Sequence, residues 1–171
     1  AGTGEFMTRL VGLPPVIGPQ TRLLVLGSFP GVASLREQRY YGHPQNQFWK
    51  ILGALWSVDL VALGYAERLA VVRERGLGIW DVYAACEREG SLDTAIRNAE
   101  LNDFGLVLRE CPNLVAIAHN GGESFRHARH TQAWGLPVYR LPSTSPANAS
   151  WSFERKLAAW DEVFRASGLL A

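Results

Sequence analysis

A three-layer α/β/α sandwich around a central, mostly parallel sheet is the fold this sequence predicts, and three observations predict it. Short apolar runs alternate with amphipathic segments of helical period, the pattern that strand-helix-strand units produce. Each apolar run closes on glycine or a polar cluster, as strands buried on both faces do. The length of 171 residues suits one domain with an ordinary core, since domains most often run about 100–150 residues and can reach about 250.

The elements follow in chain order. Arg22-Leu23-Leu24-Val25-Leu26-Gly27 reads as the first buried strand. Residues 46–56 read as a helix with Phe48, Trp49, Ile51, Leu52 and Leu55 on its apolar side, followed by a helix over 66–75. Residues 77–83, 114–118 and 137–141 read as further strands. Helices are expected over 102–110, 122–130 and 152–166, the last with Trp151, Phe153, Leu157, Trp160 and Phe164 on one side.

Composition narrows the function classes. The net charge is +1, which speaks neither for nor against nucleic acid, because binding needs a basic face and not a basic total. Two cysteines, Cys86 and Cys111, are too few for a disulfide framework, a zinc knuckle or an iron–sulfur cluster, so reduced thiols are expected. No apolar run reaches the roughly 18 residues of a membrane span, and the chain reads as soluble and intracellular. Residues 1–6 precede the single methionine, Met7, and read as a vector-derived remnant, leaving one domain over residues 7–171.

Four segments each follow an expected strand: Gly27-Ser28-Phe29-Pro30-Gly31, Asp81-Val82-Tyr83, His119-Asn120-Gly121-Gly122 and Pro142-Ser143-Thr144-Ser145-Pro146-Ala147-Asn148. In open α/β sheets ligands bind outside the carboxyl ends of the strands, so these segments should gather on one edge. The loop Tyr40-Tyr41-Gly42-His43-Pro44-Gln45-Asn46 should hang over the same edge. They supply aromatics, amides, hydroxyls and one carboxylate. His127 and His130 read as an exposed helix face and not a metal pair, and Asp93 with Arg97 as a helix-surface pair.

These segments carry a resemblance. Gly27-Ser28-Phe29-Pro30-Gly31 with Tyr41-Gly42-His43-Pro44-Gln45-Asn46-Gln47-Phe48-Trp49 resembles the first motif and following loop of the mismatch-specific branch of the uracil-DNA glycosylase superfamily. Ser143-Thr144-Ser145-Pro146-Ala147-Asn148 resembles its second motif, and Gly78-Ile79-Trp80-Asp81-Val82 the strand that carries the base-reading side chain. Within the superfamily the likeness is greatest to the hypoxanthine-DNA (deoxyinosine) glycosylase branch. It implies a uracil-DNA glycosylase-like fold and a monofunctional glycosylase that flips a deaminated base into a pocket and leaves an abasic site. It also implies a monomer that acts on DNA in the cytoplasm, in the nucleoid if the cell is bacterial, with no membrane association.

Two familiar groups are missing. The third residue of the first motif, usually Asp or Asn that positions the attacking water, is Phe29 here, and the histidine that often opens the second motif is Ser143. The resemblance implies that Asn46 acts catalytically instead, on the water or on the base edge; as residue before an apolar run it could equally be a helix cap. Tyr41 is assigned to stacking on the flipped base, where base–aromatic stacking gives about 1–3 kcal/mol, with core packing as the alternative. Phe29 is assigned to the pocket wall or the core, and Ser28 with the Phe29 and Gly31 amides to oxyanion-type donation. Pro30 and Gly31 shape that turn and, with His43, are expected to face DNA. Asp81 is assigned to reading the Watson–Crick edge, with turn capping as the alternative.

Ser143, Ser145 and Asn148 are expected to contact phosphates, and Ala147 with Asn148 to lie beside the gap left by the flipped base. Asn120 and Gly121 open a helix whose amides suit a phosphate, or Asn120 caps it. Arg36, Arg39, Arg126 and Arg129 are candidate phosphate contacts or solvated charges. No cofactor or metal is expected, because neither a Walker loop, a dinucleotide fingerprint nor a metal constellation is present. Three other readings stay open: a Ser28–His43–Asp81 hydrolase triad, which lacks the Gly-x-Ser-x-Gly elbow; a catalytically silent damage-binding protein; and preference for uracil or xanthine.

Overall fold

The computed structural model describes residues 8–171, so residues 1–6, read above as a remnant, lie outside it. Its centre is a parallel sheet of four strands, β2 Leu23–Gly27, β3 Leu77–Asp81, β6 Ala116–Asn120 and β7 Val138–Leu141, in the order β3-β2-β6-β7. The apolar runs explain this arrangement. Every residue of β2, β3 and β6 is buried, as strands covered on both faces require. The register sets Gly27 beside Asp81 and Leu26 beside His119, so the ends of neighbouring strands are level on one edge.

Helices flank the sheet: α1 Val32–Glu37, α2 Phe48–Trp56, α3 Tyr65–Glu74, α4 Gly105–Glu110, α5 Gly122–Phe125, α6 Ala128–Gln132 and α7 Phe153–Ala166. Phe48 of α2 meets Trp160 of α7 edge-on at 5.8 Å, both almost fully buried. Burying side chains of this size contributes about 1.5–3 kcal/mol each. The Ser152 hydroxyl caps α7 by accepting from the Arg155 amide at 3.2 Å, and Trp160 Nε1 donates to the Pro142 carbonyl. The long helix thereby ties the loop after β7 to the core.

A second, antiparallel sheet was not anticipated; it comprises β1 Leu10–Val11, β4 Tyr83–Glu87 and β5 Arg97–Leu101, in the order β1-β4-β5. The single strand expected over 77–83 is therefore two. β3 stops at Asp81, the Val82 amide donates to the Gly27 carbonyl, and Tyr83 opens β4 in the other sheet. A continuous apolar run conceals such a break because both segments are buried. β5 escaped notice for the opposite reason, since four of its five residues are exposed and mostly polar.

Three smaller expectations need correction. The helix over 122–130 is two short ones broken at Arg126 and His127. Asp93 and Arg97 share no helix: Asp93 opens a 3₁₀ turn, Asp93–Ala95, while Arg97 begins β5 and donates to the Thr94 and Ile96 carbonyls. His127 and His130 are half-buried and not an exposed face; His127 Nε2 lies 2.8 Å from the Tyr83 hydroxyl, which also meets the Glu123 carboxylate. Among the described residues no group of three or more His, Cys, Asp or Glu is placed to hold a metal ion.

Candidate active site

The strand ends enclose a cavity of about 650 Å³, within the range of ligand pockets. All four strand-end segments and the loop over 40–46 reach it, as expected from the edge rule. An unanticipated wall completes it: residues 91–94, folded over by the β4–β5 connection.

Tyr41 adopts a left-handed backbone conformation, φ 53°. Its ring stacks on Phe48, with centroids 3.9 Å apart and planes 19° from parallel. Phe48 thus covers one face of a ring that lines the cavity. The Tyr41 hydroxyl accepts from Asn120 Nδ2 at 3.2 Å. The same amide donates to Thr144 Oγ1 at 3.1 Å, and Asn120 Oδ1 accepts from the Thr144 amide. Asn120 is therefore a brace between the aromatic and the loop after β7, neither a helix cap nor a free phosphate donor. The Gly121 amide is also engaged, on the Leu141 carbonyl.

Asp81 lies at the end of β3, only 5 % exposed. Its Oδ2 is buried and has no hydrogen-bond partner among the described residues. Burial first, and the charge of Asp93 second, push its carboxyl up to about 7, with Arg88 opposing. The turn-capping alternative fails, because no backbone amide among the described residues donates to the Asp81 carboxylate; the Asn102 side-chain amide donates instead to the Asp81 main-chain carbonyl. Opposite sits Gly27, where a Cβ would stand 2.5 Å from Asp81 Oδ1. We predict that Gly27→Ala displaces this carboxylate, costing roughly 1–3 kcal/mol as overpacking does and most of the excision rate, as read by urea midpoints and single-turnover assays.

Asn46 is half-buried and lines the cavity, and its Oδ1 accepts from the Phe48 amide at 2.9 Å. The N-cap position of α2 is Gln47, so Asn46 is not the cap residue but closes an Asx turn one position ahead of it, while Nδ2 makes no hydrogen bond within the described residues. Phe29 is 7 % exposed and lines the cavity, so both of its alternatives hold. The Pro30 carbonyl accepts from Arg88 Nη2, and Gly31 precedes α1 as its cap residue.

The loop after β7 is internally braced. Ser143 Oγ accepts from the Ser145 amide, Ser145 Oγ from the Ala147 amide, and Asn148 Nδ2 donates to the Ser143 carbonyl. Pro146 and Ala147 project at its exposed tip. His43 is exposed, and its Nδ1 accepts from the Gln45 amide. Of the candidate phosphate-binding arginines, Arg126 pairs with Glu123 and Arg39 lies over the Tyr65 ring. Arg36 approaches Glu37 at 3.9 Å. None of these, nor Arg129, lines the cavity, whereas Arg140, which sequence reasoning passed over, does.

Two further residues were missed. Asp93 accepts from the Ser28 hydroxyl at 2.7 Å, and partial desolvation by the surrounding cavity raises its carboxyl although the residue stays exposed. Arg88 is 5 % exposed, with its guanidinium 5.3 Å over the Phe29 ring. A buried arginine runs against composition rules, and no sequence signal marked it. The Ser28–Asp93 bond also dismantles the hydrolase triad. Ser28 donates away from His43, His43 turns to its own loop, and the Asp81 carboxylate bonds neither.

Comparison with known proteins places this geometry. Residues 14–164 match the uracil DNA glycosylase superfamily. A hypoxanthine DNA glycosylase of Methanosarcina barkeri is 39% identical over 154 residues, covering 90% of this chain and 97% of that protein. A second, from Methanosarcina acetivorans, is 36% identical over the same share. A solution NMR structure from Methanosarcina acetivorans, described as a candidate uracil DNA glycosylase, superposes with a TM-score of 0.85 at 35% identity, covering 94% of this chain and 99% of that one. With its parallel sheet, its strand-end cavity and its motifs in order, the chain belongs to the uracil DNA glycosylase superfamily.

Proposed function

We propose that this glycosylase removes hypoxanthine from deoxyinosine in DNA and leaves an abasic site. The observation that carries the reading is the buried, unpartnered carboxylate of Asp81 in a cavity lined by Tyr41. Unsatisfied buried polar groups are rare and call for an explanation; a ligand donor supplies one. Hypoxanthine presents N1–H beside O6, whereas adenine presents a bare N1 beside an amino group. A carboxylate accepts from the first and repels the second. The names of the two Methanosarcina relatives agree with this choice.

The reaction begins with the base leaving the stack, at a cost of a few kcal/mol that is lowest for a poorly paired base. Tyr41 stacks on it from the side opposite Phe48, and N1–H meets Asp81. Breaking the glycosidic bond builds positive charge on the sugar and negative charge on the base. The Asn46 amide holds the attacking water or the base edge through Nδ2, and the backbone amides of Phe29 and Gly31 line the same cavity as donors, whereas the Ser28 hydroxyl is spent on Asp93. His43, Gly31, Pro30, Ser143, Ser145, Ala147 and Asn148 form the rim that meets the backbone, with Asn120 and Gly121 holding that rim in place. No described helix is long and apolar enough to cross a membrane.

Oligonucleotides each holding one inosine, uracil, xanthosine or ethenoadenine test the reading. After incubation and alkaline cleavage of abasic sites, inosine should be cut fastest, with product exceeding enzyme and the rate unchanged by EDTA. Faster uracil or xanthosine cleavage overturns the substrate choice. Stoichiometric retention of inosine DNA without product favours a silent binder, and loss of activity with EDTA overturns the metal-free reaction.

A further inference from the structure

Hydrolysis of a glycosidic bond has a proton balance that the residues named so far do not close. The water oxygen bonds to C1′, the C1′–N electron pair leaves with the base, and one water proton must pass to an acceptor. An asparagine amide cannot take it. The ionisable groups lining the cavity are Tyr40, Tyr41, His43, Asp81, Asp93 and Arg140. Arg140 is a permanent cation. Tyr40 donates its hydroxyl to the Pro14 carbonyl, and Tyr41 accepts from Asn120. His43 Nδ1 is occupied by the Gln45 amide on an exposed loop. Asp81 is buried and is already assigned, in the proposed function, to the N1–H of the base.

Asp93 remains, and it lines the cavity with an exposed side chain. The Ser28 hydroxyl holds Oδ1 at 2.7 Å and leaves Oδ2 without a protein donor among the described residues. Two more bonds fix the segment against the first strand-end loop: the Val32 amide donates to Ser91 Oγ at 2.9 Å, and Arg88 Nη2 to the Pro30 carbonyl at 2.8 Å. Gly90, at φ 68°, permits the turn between them. The carboxylate is thus held beside the first strand-end loop by the Ser28 hydroxyl, on a segment that two further bonds tie to that loop.

We propose that Asp93 is the general base of the reaction, taking one proton from the attacking water through Oδ2 as the C1′–N bond breaks. The base departs as an anion and is protonated by solvent, and Asp93 returns its proton to solvent. This step rests on the glycosylase reading but not on which base is cut.

The test uses the full chain on inosine and uracil DNA in parallel. Asp93→Asn keeps the acceptor for Ser28 but cannot take a proton, and general-base removal lowers rates by about 10²–10⁴-fold. We expect single-turnover excision to fall at least about 100-fold on whichever base the wild type cuts, with binding to an abasic-analogue duplex changed less than about threefold. Sodium formate should restore part of the rate in Asp93→Ala and none in wild type, a rescue that a structural role would not give. Excision by Asp93→Asn within about threefold of wild type overturns the proposal, as does loss without formate rescue in a folded Asp93→Ala. Wild type that cuts uracil and spares inosine overturns only the substrate reading, and the Asp93 comparison then stands on uracil DNA.

Discussion

Asp81→Asn is expected to raise the stability of the protein at pH 8 and to shift its preference from hypoxanthine toward uracil. The stability half follows from linkage. The Asp81 carboxyl is held up to about 7 in the folded chain against an ordinary value of 3.8. Below 3.8 both states are protonated and the group has no effect. Between 3.8 and 7 the folded state holds more protons, so stability falls as pH rises, and above 7 the full penalty of about 4 kcal/mol is present. Asparagine carries no charge at any pH, though its buried amide leaves groups unsatisfied and offsets part of the gain. A net gain of about 2–4 kcal/mol at pH 8, worth roughly 5–15 °C in Tm for a chain of this size, should shrink towards zero by pH 4. Calorimetry across that range checks it, and an equal gain at pH 4 and pH 8 would show that the ionised carboxylate is not its source.

The same substitution exchanges an acceptor-only group for one with donor and acceptor together. Uracil places a carbonyl on each side of its N–H, and these face the amide better than they face a negative charge. Inosine-to-uracil rate ratios should therefore drop in Asp81→Asn, while Asp81→Ala weakens both. A ratio equal to wild type in folded Asp81→Asn would defeat the base-reading role. A residue that lowers stability where the substrate binds is the trade expected of a functional site.

The parallel half of the fold could be read directly because its apolar runs are pure. Leu23, Leu24, Val25 and Leu26 have no alternative to a strand buried on both faces, and Phe48, Trp49, Ile51 and Leu52 fall on one side of a helix. The strand-end rule then collected Ser28, Tyr41, Asp81 and Ser143 into one cavity. The antiparallel half could not be read that way. Tyr83-Ala84-Ala85-Cys86-Glu87 shows little alternation, and Arg97-Asn98-Ala99-Glu100-Leu101 is an exposed edge whose residue types suit a loop or a helix. Asp93 and Arg88 reach the site through that half, so their roles depend on a chain reversal that no local pattern encodes. Arg88 is further hidden because its partners are carbonyls of Pro30 and Gly90. A backbone acceptor distant in sequence leaves no trace in residue identity. Asn120 shows the intermediate case: its position at the cavity was predictable, but its bonds to Tyr41 and Thr144 needed the register of β6 beside β7.

Asn46→Ala removes two functions at once, and a second variant separates them. Oδ1 accepts from the Phe48 amide at the start of α2, and loss of such a hydrogen bond costs about 0.5–1.5 kcal/mol. Phe48 is also the platform under Tyr41, so fraying at that point loosens the base-stacking ring. If Nδ2 contributes to the transition state as an oriented donor, removing it lowers the chemical step by about 10²–10³-fold. Asn46→Ala should therefore lose both stability and single-turnover rate, while DNA affinity, carried mainly by phosphate contacts, changes little. Asn46→Asp keeps a side-chain acceptor for the Phe48 amide, and a negative charge at a helix start is favourable, so α2 should retain its stability. It has no amide donor. Its rate should fall as far as that of Asn46→Ala, with a wild-type unfolding midpoint and a gel-shift constant within about threefold. Should Asn46→Asp instead excise at the wild-type rate, the residue acts only by holding the first amide of α2 under Tyr41, and the chemistry rests on the other groups that line the cavity.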